Sequence, residues 1–172
     1  MRPRTIAIAA ITVDGKIARG NHELVRWTSK EDKNFFRSET ARIGVMVLGN
    51  TTFETFPAPL PDRLHVVMTR NSREKKTISG HVEFTSQPPK AILSDLDARG
   101  FKQVVIAGGS RIYTEFVQEK LLDELWLTVE PQAFGEGVGI FSAPVSCSLR
   151  LKKQSLLNPD SVLLQYTVRY NN

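Results

Sequence analysis

The uninterrupted apolar run Thr5-Ile-Ala-Ile-Ala-Ala-Ile-Thr-Val13 constrains this chain more than any other stretch, because it offers no polar face to water. Closed by the turn pair Asp14-Gly15, it reads as a strand buried on both sides, the kind found inside parallel sheets covered by helices. The segments that follow supply such a sheet and its cover. A helix is predicted from Thr28 or Ser29 to about Arg42, then a buried strand at Gly44–Leu48, a short helix and the loop Pro57-Ala-Pro-Leu-Pro61. Leu64–Met68 and, more weakly, His81–Phe84 read as further strands, with a helix from about Lys90 to Arg99. Gln103–Ala107 runs into Gly108-Gly109 and a helix from Ser110 to about Lys120. The last third changes character: Leu125–Glu130, Leu149–Leu157 and Val162–Tyr170 are predicted strands with no long helix between them. The alternation predicts an α/β fold with a central, mainly parallel sheet flanked by helices. The final pair, separated by Asn158-Pro159-Asp160-Ser161, predicts an antiparallel hairpin at its edge. No repeat, linker or low-complexity stretch divides residues 1–172, so a single domain is expected.

Composition narrows the function classes. A hydrophobic fraction of 41% and a charged fraction of 24% suit a soluble globular protein, and no apolar run reaches the length of a membrane span. The N-terminus carries no long apolar segment with a small-residue cleavage site, so no secretory signal is read. The one cysteine, Cys147, has no internal partner, which matches a reducing, cytoplasmic setting. A net charge of +5 could serve nucleic acid, an anionic membrane or a phosphorylated cofactor. The basic residues are scattered, however, and the densest cluster, Arg70–Lys76, is a short loop-like stretch with no aromatic interleaving. A small anionic molecule is therefore the expected partner, with no nucleic acid and no membrane. His22, His65, His81 and Cys147 lack metal-ligand spacing, so no metal is expected.

Two places could carry chemistry. Gly108-Gly109 lies between an apolar strand and a helix, where backbone N–H groups can approach a phosphate; a tight strand-to-helix turn explains the same glycines equally well. Asp32 opens the first helix, with Phe36 one turn later on the same face and Trp27 just before the helix. A carboxylate beside aromatic walls can grip an amidine-like ring edge, its two oxygens matching two parallel N–H groups. The competing reading is local: Thr28 with Glu31, or Ser29 with Asp32, has the spacing of a capping box. If Thr28 caps, Asp32 is free; if Ser29 caps, Asp32 has a structural job. Local sequence alone favours the cap.

Taken in order, the motifs resemble the dihydrofolate reductase superfamily, which includes the reductase domain of riboflavin biosynthesis. The resemblance runs from Ile6 to Tyr170. It is carried by Ala9-Ala-Ile-Thr-Val-Asp-Gly-Lys-Ile-Ala18, Trp27-Thr-Ser-Lys-Glu-Asp-Lys-Asn-Phe-Phe36 and Val47-Leu-Gly-Asn-Thr-Thr-Phe-Glu54. Pro59-Leu-Pro-Asp-Arg63, Val66-Val-Met-Thr-Arg70, Ile106-Ala-Gly-Gly-Ser-Arg-Ile-Tyr113 and Leu125-Trp-Leu-Thr128 follow, with the C-terminal hairpin. It implies an NADPH-dependent reductase in which Asp32 binds the amino-pyrimidine edge of a pterin, supported by the Thr128 hydroxyl. Ala10, Trp27 and Phe36 would line the substrate pocket, and Arg63 would pair with a carboxylate on the folate tail. Gly49, Thr51, Thr52 and the turn Gly108-Gly109-Ser110-Arg111-Ile112 would cradle the cofactor, its Gly-Gly bond commonly cis in this family. Thr69 and Arg70 would meet the 2′-phosphate, Ile17 would belong to the loop over the nicotinamide, and Tyr113 would lie near that ring. The resemblance shifts the balance on Asp32 from cap to active site.

Departures from the pattern divide the family's branches. Asn50 stands where an arginine is usual, so the NADPH preference rests more on Arg70. Val25-Arg26-Trp27 replaces Leu-Pro-Trp, and Gly135-Glu-Gly-Val-Gly-Ile-Phe141 with Asp14-Gly-Lys-Ile-Ala18 leans to the riboflavin branch. The spacing of Trp27, Asp32 and Phe36, and Pro-Leu-Pro-x-Arg63, lean to dihydrofolate reductases. The expected reaction is reduction of 7,8-dihydrofolate to tetrahydrofolate by hydride transfer. The alternatives are reduction of a phosphoribosylamino-pyrimidine, or a non-catalytic nucleotide-binding protein of the same fold. Monomer and homodimer are both compatible with the C-terminal strands.

Overall fold

In the computed structural model, which describes residues 1–171, the apolar N-terminal run becomes strand β1 (Arg4–Ile11) at the middle of an eight-stranded sheet. The other strands are β3 (Val45–Gly49), β4 (Leu64–Met68), β5 (Val82–Thr85), β6 (Gln103–Ile106), β7 (Glu124–Val129), β9 (Ser148–Leu156) and β10 (Val162–Arg169). Their order is β5-β4-β3-β6-β1-β7-β10-β9. Every pair from β5 to β7 is parallel, and β10 then runs antiparallel to both β7 and β9. The mainly parallel sheet with a C-terminal hairpin at its edge is thus present as the alternation predicted.

Successive residues of β1 serve opposite faces. Ala7 and Ala9 pack toward helices α3 (Pro89–Ala98) and α4 (Ser110–Gln118), whereas Ile6 and Ile8 face the side of α1 (Lys30–Ile43) and α2 (Asn50–Glu54). Phe116 of α4 is fully buried against the first face, and truncating it to alanine would cost about 3–5 kcal/mol in lost transfer energy and cavity formation. Helix α1 begins at the Ser29 cap and stops at Gly44, whose left-handed φ of +84° lets its N–H return to the Thr40 carbonyl. Helix α3 starts on Pro89, where the missing N–H costs no intrahelical bond.

Two features differ from the sequence expectation. Strand β1 ends at Ile11 rather than continuing to Val13, which is 70% exposed. The Thr12 hydroxyl donates to Asp14 at 2.6 Å and the Thr12 N–H bonds the Lys16 carbonyl, so the chain turns there. It then forms a ribbon of β2 (Lys16–Ala18) with β8 (Val138–Gly139), strands too short to leave a periodic signature. Asp14 ties the ribbon down by accepting from the N–H groups of Phe134 (3.1 Å) and Gly135 (2.7 Å). The Thr12 hydroxyl, then the Phe134 N–H, hold its carboxyl down to a pKa of about 2. Among the described residues no helix is long and apolar enough to cross a membrane.

Candidate active site

At the carboxyl ends of the parallel strands the structure opens into a cleft of about 1510 Å³. A drug-sized ligand fills roughly 300–1,000 Å³, so the cleft has room for two small molecules side by side. Its position follows from topology: strand ends leave backbone groups unpaired, and the loops that continue them can turn away to leave a crevice.

One half of the cleft is built from glycine turns. The Gly108–Gly109 peptide bond is cis, and the Gly108 carbonyl accepts from the Gly49 N–H at 2.7 Å, which joins the end of β6 to the end of β3. A side-chain carbon on Gly49 would meet Ile112 Cγ1 at 3.2 Å, and one on Gly109 would meet Thr52 Oγ1 at 3.1 Å. At either turn a side chain would fit only if its neighbour moved by a few tenths of an ångström. Gly109 caps α4 with no side chain bonded to the helix start, so N–H groups at that end remain available. Thr69, Arg70 and Asn71 continue β4 along the same wall. Arg70 is exposed and, among the described residues, joins no ion pair. The buried Asn50 Oδ1 has no hydrogen-bond partner, while its Nδ2 donates to Glu54 at 2.8 Å. Uncapped N–H groups, an unpaired cation and an orphaned acceptor together fit a ligand carrying both phosphate and hydroxyl groups.

The other half is built on α1. Asp32, Lys33, Phe36 and Arg37 line it, with Ala10 at the end of β1 and Ile17 on β2. Asp32 is 7% exposed, and burial, aided by the negative charge of Glu130, pushes its pKa up. The hydroxyls of Thr128 and Thr28 and the charge of Lys33 pull it the other way. Thr28 Oγ1 is buried with no partner that closes a hydrogen bond. Tyr113 lies beneath Gly108 and donates to the Ile8 carbonyl at 2.8 Å; burial and the nearby Asp32 push its phenol well above the ordinary range.

The structure brings most of the expected residues to this one cleft. Asp32, Ala10, Phe36, Ile17, Gly49, Thr51, Thr52, Thr69, Arg70, Gly108, Gly109, Ser110, Arg111, Ile112 and Tyr113 all line it. Three stand behind its walls. Thr128 is 1% exposed on β7, at the back of Asp32. Trp27 packs edge-on against Phe134, ring centroids 5.1 Å apart, because Gln132 holds its carbonyl at 3.0 Å and draws it toward that loop. The buried Arg63 turns inward under α1, where Nε donates to the Pro61 carbonyl at 2.8 Å and Nη1 to the Arg37 carbonyl at 3.0 Å and to the Thr40 hydroxyl. Those acceptors are the reason it does not reach the cleft.

The cap is also settled. Ser29, not Thr28, caps α1: its hydroxyl accepts from the Asp32 N–H at 3.2 Å. The structural job that this arrangement would give to the Asp32 carboxylate is nevertheless done by Glu130, which accepts from the Ser29 N–H at 2.9 Å. Sequence reasoning passed over Glu130, and also Lys33 and Arg37. The last two are an i, i+4 pair flanking the Asp32–Phe36 face, and that spacing was the available signal.

The sequence pattern that defines the dihydrofolate reductase family matches residues 4–141. The chain belongs to that family and is a reductase of the dihydrofolate reductase type that uses NADPH. The glycine turns, the uncapped start of α4 and the unpaired Arg70 fit such a cofactor. An uncharacterized protein of Bacillus subtilis, YwjB, is 26% identical over 88% of this chain and 91% of its own. A dihydrofolate reductase from Enterococcus faecalis, solved with NADP(H), superposes with a TM-score of 0.74 at 23% identity, covering 98% of this chain and 97% of that one. A putative riboflavin biosynthesis protein from Shewanella superposes with a TM-score of 0.76 at 21% identity, over 99% of this chain and 100% of its own.

Proposed function

We propose that this chain, acting as a single domain, reduces 7,8-dihydrofolate to tetrahydrofolate at the expense of NADPH. The observation that carries the reading is the buried Asp32 carboxyl, its proton affinity raised, facing the same cleft as the glycine turns. Bound NADPH supplies the hydride. Asp32, as the carboxylate, accepts from two N–H groups on the amino-pyrimidine edge, and its negative charge favours protonation of the ring nitrogen, which takes its proton from solvent water. Thr128 braces that carboxyl from behind, and Ala10 and Phe36 flank the ring. Lys33 and Arg37 face an anionic tail, the work first expected of Arg63. On the cofactor side, Thr52 and the backbone of Gly108–Ile112 hold the pyrophosphate, with Gly49 and Thr51 alongside. Thr69 and Arg70 meet the 2′-phosphate, and Ile17 and Tyr113 border the nicotinamide. Bound ligands that displace water from the cleft strengthen each of these contacts.

The test is NADPH oxidation by the purified protein, followed by absorbance with and without 7,8-dihydrofolate. Substrate-dependent turnover that disappears in Asp32→Asn supports the reading; NADPH binding with no turnover on dihydrofolate overturns it. A second reading, reduction of a phosphoribosylamino-pyrimidine, draws on the basic pair Lys33 and Arg37 and on the likeness to the Shewanella structure. Turnover on that pyrimidine in place of dihydrofolate would select it.

A further inference from the structure

Ser29 caps α1, and an acid stands at Asp32, where a capping box would use it to accept from the N–H of Ser29 itself. That N–H goes elsewhere. Glu130 Oε1 accepts it at 2.9 Å and accepts the Ser29 hydroxyl at 2.7 Å. Glu130 Oε2 accepts from the Ser161 hydroxyl at 2.6 Å, in the turn of the C-terminal hairpin. Glu130 is 2% exposed, and no part of the reaction described above uses it.

Strand register explains how it gets there. Side chains two apart on a strand share a face, so Trp126, Thr128 and Glu130 point the same way from β7 and its end. They meet one stripe of α1 in reverse order: Trp126 packs on Phe35 with ring centroids 6.1 Å apart, Thr128 stands by Asp32, and Glu130 takes Ser29.

We propose that Glu130 is a positioning residue of the reductase site: it takes the arm of the α1 cap that Asp32 would otherwise fill and so leaves the Asp32 carboxyl turned to the substrate. This rests on the reading of Asp32 as the substrate-binding carboxylate. A buried N–H left without an acceptor costs about 1–3 kcal/mol. Without Glu130, Asp32 is the acid at capping-box spacing to satisfy Ser29, and one carboxylate cannot serve both partners. The charge of Glu130 has a second effect, because a nearby anion disfavours ionisation of Asp32. The other groups facing Asp32 are Lys33 on its own helix, the hydroxyls of Thr28 and Thr128, and Tyr113 from α4, which burial keeps uncharged.

The test uses the full chain with Glu130→Gln, Glu130→Ala and Asp32→Asn. Two quantities are measured: the pH profile of kcat/KM, and the carboxyl-carbon NMR titration of Asp32, assigned by its loss in Asp32→Asn. Glu130→Gln keeps an acceptor for Ser29 and removes the charge. The Asp32 titration and the pH profile should then move together to lower pH, with the melting temperature nearly kept. Glu130→Ala should draw Asp32 onto the Ser29 N–H and lower kcat/KM by roughly tenfold or more through misalignment. An Asp32 titration identical in wild type and both Glu130 variants overturns the proposal whatever the activities. Full turnover in Asp32→Asn overturns instead the reading of Asp32, and with it the place of Glu130 in the reaction, even where the titration still moves.

Discussion

A side-chain carbon on Gly109 would lie 3.1 Å from the hydroxyl oxygen of Thr52, so the start of α4 and the helix after β3 approach so closely that a methyl group between them would displace Thr52 by a few tenths of an ångström. Gly109 has a φ of −79°, which any residue adopts, so its requirement is space and not backbone freedom. Gly109→Ala should therefore fold, push Thr52 out of place and weaken NADPH by roughly tenfold, the effect of misplacing backbone donors around a phosphate. Titration of NADPH by calorimetry measures it. An unchanged Kd would mean that the cofactor does not use this turn.

Asp32→Asn separates function from stability. A carboxyl whose folded-state pKa is raised contributes stability fully below its unfolded pKa, near 3.9, and loses that contribution as pH rises through the folded value. Above its raised folded pKa the ionised Asp32 thus opposes folding relative to a neutral side chain. The Asn variant should lose roughly 10²–10⁴-fold in turnover, the range for a positioned proton-handling group. It should melt no lower than wild type at neutral pH, with the difference between the two shrinking toward pH 4. A lowered melting temperature at pH 7 with turnover intact would make Asp32 structural.

Arg70 is the unpaired cation at the end of β4, and Asn50 offers no charge beside it. Arg70→Ala should raise the Kd for NADPH by roughly tenfold or more while leaving NADH nearly untouched, since a lost charge-assisted bond to phosphate costs about 1.5–3 kcal/mol. Parallel titrations with the two cofactors decide it. Equal losses for both would place the 2′-phosphate elsewhere.

His65 sets a pH limit on the fold. It is fully buried against Phe53 and Phe56; Nε2 accepts the Leu60 N–H at 3.2 Å, and Nδ1 faces the His81 carbonyl at 3.0 Å. That pattern fixes the neutral tautomer protonated on Nδ1. Burial lowers its pKa, so the unfolded chain takes up a proton first as pH falls below about 6.5. The stability His65 contributes is present above that pH and is lost as pH falls toward the folded value. Denaturant unfolding of wild type and His65→Gln across this window should show a steeper loss in wild type. Parallel curves would remove His65 as the cause.

Much of the fold was legible because burial on two faces demands continuous apolar runs. β1, β3, β4 and β6 are such runs, and the glycine pair after β6 marks its turn without ambiguity. The ribbon of β2 and β8 was not legible, since strands of three and two residues hold no period. Asp32 shows the same division within the site. Its sequence spacing suits both a cap for Ser29 and a grip for a ligand, and local chemistry cannot choose between them.

The sequence by itself determined the strands of the main sheet and the helices, the parallel order they favour and the residue types at the cleft, because these depend on periodicity and on neighbours in the chain. The tertiary structure alone decided which acid caps α1, which arginine reaches the cleft and which turns inward. Glu130 lies 101 positions from Ser29, and Arg63 finds the Thr40 hydroxyl 23 positions away. Such partners are chosen by strand register and helix packing, which bring together groups whose mutual distance is not encoded in any local stretch of chain.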